Sequence, residues 1–412
     1  MPSSPTPFLT GTLPSGLRYI QLPTQSEVAY CGIAIHAGTR HETPCQQGLA
    51  HFCEHLSFKG THRRSAVQII NAIEGLGGEL NAFTNKEDTV FYCAIQRRHL
   101  RKALDVLTDI VFHSQFPQHE VEKECEVVCD EIESYEDSPA ELIYDEFENI
   151  LFTGHPLGHN ILGTSSQVRS YTSADALAFT QQWYQPQNCV LFISSDAKVT
   201  SFLKPLTQAT APSTFSEAPQ RGVQFDAVSG ANTITRHRGT HQAHVMLGTR
   251  AYAASDPRRW ALYLLSNILG GPGLNSRLNM ALRERRGLVY TVESTMTSYS
   301  DTGIWTVYFG CDQHDVDRCL RLTRRELDLL MEKPLSPLRL RAAKRQLQGQ
   351  LAIACDNREQ FVLDVARTFL HTGRQRTLAD VMTHIEQLTA DDLLLVAREL
   401  FNQQVITTLI YT

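Results

Sequence analysis

No run of about 18 consecutive apolar residues occurs anywhere in this 412-residue chain, so no segment reads as a transmembrane helix. The opening stretch MPSSPTPFLTGTLPSGLRYIQL lacks the positive n-region and apolar h-region of a secretory signal. Paired cysteines are also missing: ten are present, but scattered, and the closest two, Cys125 and Cys129, do not have CxxC spacing. The expectation is therefore reduced thiols and a cytoplasmic protein. Nor is there a basic excess. A net charge of -6 and a pI near 6.2 give none of the positive footprint that a phosphate backbone demands, which excludes nucleic acid as the main partner. The glycine-rich stretch GGPGLNSRL, residues 270 to 278, lacks both the Lys-Ser/Thr of a phosphate loop and the spacing of a dinucleotide site. It reads as a flexible hinge.

What remains is a globular composition, 42% hydrophobic and 20% charged, in a chain too long for one ordinary core. Two strand-like runs, GLRYIQL and EVAYCGIAIHAG, lead through the turn-forming TPCQQG into a helix beginning near residue 48. SAVQIINAIEGLGG reads as a second helix, capped by Ser65 and ended by paired glycines. ELNAFT and TVFYCAI read as strands, and a long helical region follows from about 97 to 150, which Pro139 should interrupt. NCVLFIS closes this half as an apolar strand. Residues 205–232 are rich in Thr, Ser, Ala, Pro and Gln and read as a linker between domains at 1–204 and 233–412. The second half repeats the order of the first. AHVMLGTRAYAASDP parallels CGIAIHAGTRHETP, and GIWTVYFGCDQHDVDRCLRLTRREL parallels TVFYCAIQRRHLRKALDVLTDIV, which suggests a duplicated α+β unit.

One cluster has no counterpart in the second half. In GLAHFCEHLSFKGT, His51, Glu54 and His55 stand at i, i+3 and i+4, one face of a helix, so two imidazoles can address one ion with a carboxylate beside them. Zinc suits two histidines and a carboxylate. The third ligand is sought in the acidic stretch HEVEKECEVVCDEIESYED, where Glu124 and Glu131, two turns apart, share a face with Val127 and Val128. One acid can reach the metal while the other orients a ligand. The plain alternative is an ordinary solvated helix. His155 and His159 also have i, i+4 spacing, but Pro156 and Gly158 forbid a regular helix, so a loop role is expected of them. Cys53, inside the motif, reads as a small core thiol.

His51-x-x-Glu54-His55, with Glu131 76 positions after His55 and Glu124 seven before that, resembles the inverted zinc motif of the pitrilysin and mitochondrial processing peptidase-like metallopeptidases, the inverzincins. TLPSGLRYI, GGELNAFTNKEDTVFY, HPLGHNILGT and LNMALRERRGLVYTV resemble the family's landmarks in order, over nearly the whole chain. The resemblance implies two homologous α+β domains, each a mixed, mostly antiparallel sheet covered by helices. It implies one Zn2+ per chain, held by His51, His55 and Glu131, with Glu54 as general base and Glu124 as auxiliary acid. Arg283 and Tyr290 match the family's pair that binds substrate and steadies the oxyanion, and Asn81 and Ala82 fall on the strand that pairs with an extended peptide. Without the resemblance, Arg283 and Tyr290 read as a basic helix end closed by Gly287 and a buried strand tyrosine. The implied activity is a zinc metalloendopeptidase acting on peptides or unfolded segments in a closed chamber, as a homodimer or with a related subunit. The rivals are a non-catalytic assembly subunit of the same fold and a metal-dependent small-molecule lyase.

Overall fold

The computed structural model describes residues 8–197, 202, 206–208, 210 and 231–412. The linker expected at 205–232 lies largely outside the described residues. The chain divides into two compact units, residues 1–133, 159–222 and 355–376 in the first and 134–158, 223–354 and 377–412 in the second.

The first unit is built on six strands: β1 Leu9–Thr12, β2 Arg18–Leu22, β3 Val28–Ile35, β4 Glu79–Thr84, β5 Thr89–Gln96 and β6 Cys189–Ser194. Their order is β1-β2-β6-β3-β5-β4, with β2 and β6 parallel and every other pair antiparallel. The second unit carries β7 Thr233–Arg236, β8 Ala243–Ala251, β9 Val289–Ser298, β10 Gly303–Cys311 and β11 Thr407–Tyr411, in the order β7-β11-β8-β10-β9, with only β7 and β11 parallel. Leaving out the β1 hairpin strand, the two patterns coincide. β3 and β8 hold the same place, as do β5 and β10, the two strand pairs whose sequences are alike. The fold is α+β, with two mixed sheets covered by helices.

In the first unit, α1 Leu49–Leu56, α2 Ala66–Glu74 and α3 Leu100–Phe112 cover one sheet face, burying Phe52, Leu56, Ile69, Ile73 and Leu107. Ser65 caps α2 in a reciprocal pair with Gln68, as its sequence implies, but the helix ends at Gly75, ahead of the paired Gly77 and Gly78. The region from 97 to 150 breaks twice. Its second helix, α4 Gln118–Glu136, follows Pro117, and its third, α5 Pro139–Leu151, has Pro139 at its first position. The region is thus interrupted at Pro139, as expected, and the proline opens the next helix, where its missing N–H costs nothing.

β6 is buried along its whole length, and so is β10. Strands apolar on both faces need cover on both. The second face of the first sheet is covered by the helix Arg358–Thr372, whose Val362, Ala366 and Phe369 pack on Ile20, Val90 and Phe192. The second face of the other sheet is covered by α5, through Ile143, Phe147 and Leu151 against Met246, Tyr308 and Leu409. The stretches 1–204 and 233–412 thus each lend one helix to the sheet built by the other.

The helix Arg358–Thr372 is pinned at Asp88, in the turn after β4. Arg367 Nε lies 3.0 Å from Asp88 Oδ1 and His371 Nε2 lies 2.8 Å from Oδ2, with the carboxylate buried. Burial alone would raise the Asp88 carboxyl, but the His371 hydrogen bond and the Arg367 charge hold it well below the usual carboxylate range. A depressed folded value means that the stabilisation is present above the unfolded pKa of about 3.9 and is lost as pH falls through the folded one. Asp88→Asn should cost about 3–5 kcal/mol in chemical unfolding at neutral pH, with the gap to wild type narrowing below about pH 4. An equal gap at pH 7 and pH 3 would count against this account.

Candidate metal centre

α1 is only eight residues long, yet it carries His51, Glu54 and His55 on one face, as its spacing requires. α4 lies beside it and contributes Glu131 and Glu124. One ligand atom from each of His51, His55 and Glu131 lies within 4.8 Å of the other two. Glu131 Oε2 stands 3.8 Å from His51 Nε2 and 3.5 Å from His55 Nε2. A tetrahedral zinc with bonds of about 2.0–2.1 Å needs its ligand atoms roughly 3.3 Å apart, so the trio closes on a zinc-sized space with small adjustments. Burial, reinforced by the neighbouring His55, lowers the His51 pKa to about 3, leaving a neutral imidazole with a lone pair to offer. The donor set and its spacing fit zinc.

Glu54 is not one of the three. Its Oε2 accepts a 2.6 Å hydrogen bond from Thr84 Oγ1, the last residue of β4. Burial pushes the Glu54 carboxyl up and Glu131 adds to this, while Thr84 and His55 pull it down; the net shift is upward. A buried carboxylate raised in this way, beside the metal ligands and free of them, is placed to take a proton.

Glu124 stands behind His55. Its Oε1 is 3.0 Å from His55 Nδ1, and its Oε2 is 2.6 Å from Lys59 Nζ. Burial works against the Glu124 charge, but the bonds from His55 and Lys59 outweigh it and lower its pKa. In turn His55, although partly buried, is raised, chiefly by its Glu124 bond and the Glu54 charge. The carboxylate thereby fixes the ring so that Nε2 faces Glu131. His51 has no such support: its Nδ1 is buried without a partner. α4 corrects one detail of the sequence reading. Val128 is buried but Val127 is 49% exposed, so the face shared by the two glutamates is narrower than the pattern suggests.

Asn81 and Ala82 lie on β4, the edge strand of its sheet, opposite Tyr92 and Phe91 of β5. The outer edge of β4 has no neighbouring strand among the described residues, and the same strand delivers Thr84 to Glu54. Arg283 and Tyr290 belong to the second unit. Arg283 is exposed near the end of a π-helix, Asn279–Glu284, which is closed by Gly287 at positive φ. Tyr290 lies on the edge strand β9 and is 78% exposed, so the reading as a buried strand tyrosine fails. After β8, where the first unit has α1 following β3, the second has the helix Arg259–Gly270 with sequence RWALYLLSNILG. It contains no histidine or acid, so this helix offers no counterpart to the His51, Glu54, His55 cluster of α1.

Sequence reasoning missed three residues that touch this machinery. Lys59 lies three residues past the end of α1, where helical spacing no longer applies. Thr84 stood inside a quoted motif, but nothing local links it to Glu54. Glu42 gave no signal at all. Its Oε1 accepts from Ala50 N at 2.7 Å and its Oε2 from Gly48 N at 3.0 Å, both at the start of α1. His155 and His159 are in loops, as expected, and His159 contacts Glu42. Cys53 is a buried core thiol, pushed up by its burial.

Two histidines and a carboxylate on adjacent helices, with a second carboxylate held off the set, make up a candidate metal centre. Comparison with known proteins narrows this. Residues 20–165 match the insulinase family, peptidase family M16, and residues 170–347 match the peptidase M16 inactive domain. An uncharacterized zinc protease of Streptomyces coelicolor is 34% identical over 402 residues, 95% of this chain and 87% of the relative. YmxG of Bacillus subtilis, also named an uncharacterized zinc protease, is 31% identical over 407 residues, 97% of both chains. A protease of known structure from Helicobacter pylori shares the fold, with a TM-score of 0.89 at 22% identity over 98% of this chain and 99% of that one. The chain belongs to the M16, pitrilysin-like family of peptidases. Its inactive-domain match begins at residue 170, beyond the HxxEH cluster, and runs into the second half. No described helix is long and apolar enough to cross a membrane.

Proposed function

We propose that this protein is a zinc metalloendopeptidase that hydrolyses peptides or unfolded segments, with one zinc per chain at His51, His55 and Glu131. The observation that carries the reading is the separation of roles: three ligand atoms converge, while Glu54 is held apart from them by the edge strand's own Thr84. Zinc bound there would supply Lewis acidity to the attacking water and the scissile carbonyl. Glu54 accepts the proton of that water and returns it to the leaving amine. Thr84 steadies the carboxylate, and Glu124 with Lys59 steadies His55. An extended peptide adds to β4 through main-chain bonds at Asn81 and Ala82, which makes for broad sequence tolerance. Arg283 and Tyr290 donate hydrogen bonds to the developing oxyanion, a contribution typically of about 2–4 kcal/mol each.

The reading extends to a homodimer enclosing a chamber, with the Arg283/Tyr290 pair of one subunit serving the partner's zinc. Two inactive variants, Glu54→Gln and Tyr290→Phe, should regain activity when mixed if the pair acts in trans, and stay inactive if it acts within one chain. The primary test is cleavage of a quenched-fluorescent peptide library. Activity should vanish with chelator and return with stoichiometric zinc. Zinc bound without any cleavage would favour the non-catalytic assembly role.

A further inference from the structure

The loop HPLGHNILGT, left without a function by its broken histidine pair, meets α1 at one place. His159 Nε2 lies 2.9 Å from Glu42 Oε2. The Glu42 side chain is wholly buried, and both its oxygens are used: Ala50 N on one, Gly48 N and His159 on the other. The loop is itself fixed, since Lys86 Nζ donates to the His159 carbonyl and Gly163 packs backbone to backbone against Gln47 and Gly48. Gly48 and Gly163 both have positive φ, and a side chain on either would strike the other strand of this contact.

The consequence follows from the length of α1. Eight residues make about two turns, too few to be stable alone, and Gly48 supplies no side-chain cap of its own. The Glu42 carboxylate takes that place from six residues upstream, satisfying orphan amides and meeting the positive end of the helix. The two amides it binds flank Leu49, and His51 follows immediately after Ala50. Whatever sets the rotation of this first turn therefore sets the direction of the metal-facing imidazoles. A rotation of 20° moves a side-chain nitrogen about 6 Å from the helix axis by roughly 2 Å, ten times the tolerance of about 0.2 Å for a zinc bond.

We propose that Glu42, held by His159, is a positioning residue for the zinc ligands: the pair fixes the start and rotation of α1 so that His51 and His55 converge with Glu131. This rests on the zinc reading above. The test measures zinc affinity of the full-length protein by competition with a chromophoric chelator, alongside thermal unfolding of the metal-free form. His159→Phe keeps the bulk of the ring and loses the donor, and should weaken zinc by about 10–100-fold, the scale of an outer contact to a metal ligand. His159→Gln restores an N–H donor at similar reach and should recover most of that loss, with the metal-free His159→Gln variant melting close to wild type. Glu42→Gln, which places an amide N–H2 against backbone N–H or His159, should weaken zinc like His159→Phe. Zinc affinity within twofold of wild type in His159→Phe would overturn the proposal, as would a His159→Gln variant as weak as His159→Phe. A wild-type chain that binds no zinc would instead overturn the metal reading itself, and this inference with it.

Discussion

Glu54→Gln is expected to leave zinc affinity within a few fold of wild type and to lower peptide cleavage roughly 100- to 10,000-fold, the range a positioned general base supplies. The structure separates these two effects. Glu54 lies outside the converging ligand set, and its one short hydrogen bond comes from Thr84 Oγ1 at 2.6 Å, which the glutamine carbonyl can still accept. The amide keeps the shape and loses only the ability to take a proton. The measurement is kcat/KM on a quenched peptide beside zinc stoichiometry. If Glu54→Gln retained more than a tenth of wild-type cleavage, another group would have to be the base. If it lost zinc instead, Glu54 would have to be a ligand.

Glu131→Gln should do the reverse and lose the metal. Its carboxylate stands 3.5 and 3.8 Å from the two imidazole nitrogens and is 44% exposed, so the side chain adds little to the packing of α4. Zinc affinity should fall by more than the roughly 10–100-fold that removal of an outer partner costs. Glu124→Gln provides that comparison, because Glu124 reaches only His55 Nδ1 and Lys59. Cleavage should track the bound zinc in both variants, recovering in Glu124→Gln at high zinc and staying low in Glu131→Gln at the same concentration. Equal zinc affinities for the two would mean that the third ligand has been misassigned. Metal-free Glu131→Gln should unfold like wild type, since no buried contact is lost.

Much of this site was legible in the chain. His51, Glu54 and His55 share a face because the helix pitch is a local property, and α1 forms where their spacing needs it. The alternation in β4 and β5, the cap at Ser65 and the paralleled strand runs of the two halves are local as well, and each element lies where its pattern indicates. The errors came where a neighbour decides. Val127 is apolar whether or not anything covers it. Tyr290 reads as a core residue until the strand bearing it proves to be the edge of its sheet.

Sequence alone determined the elements, their repetition in two halves and the one half that carries a metal motif, because periodicity and spacing act over a few residues. The burial of Glu42 and Asp88 was decided only in three dimensions. So was the lending of α5 and the helix Arg358–Thr372 to the opposite sheets. Those outcomes depend on which apolar faces need cover and which buried charges find partners, and both are met by residues tens to hundreds of positions away.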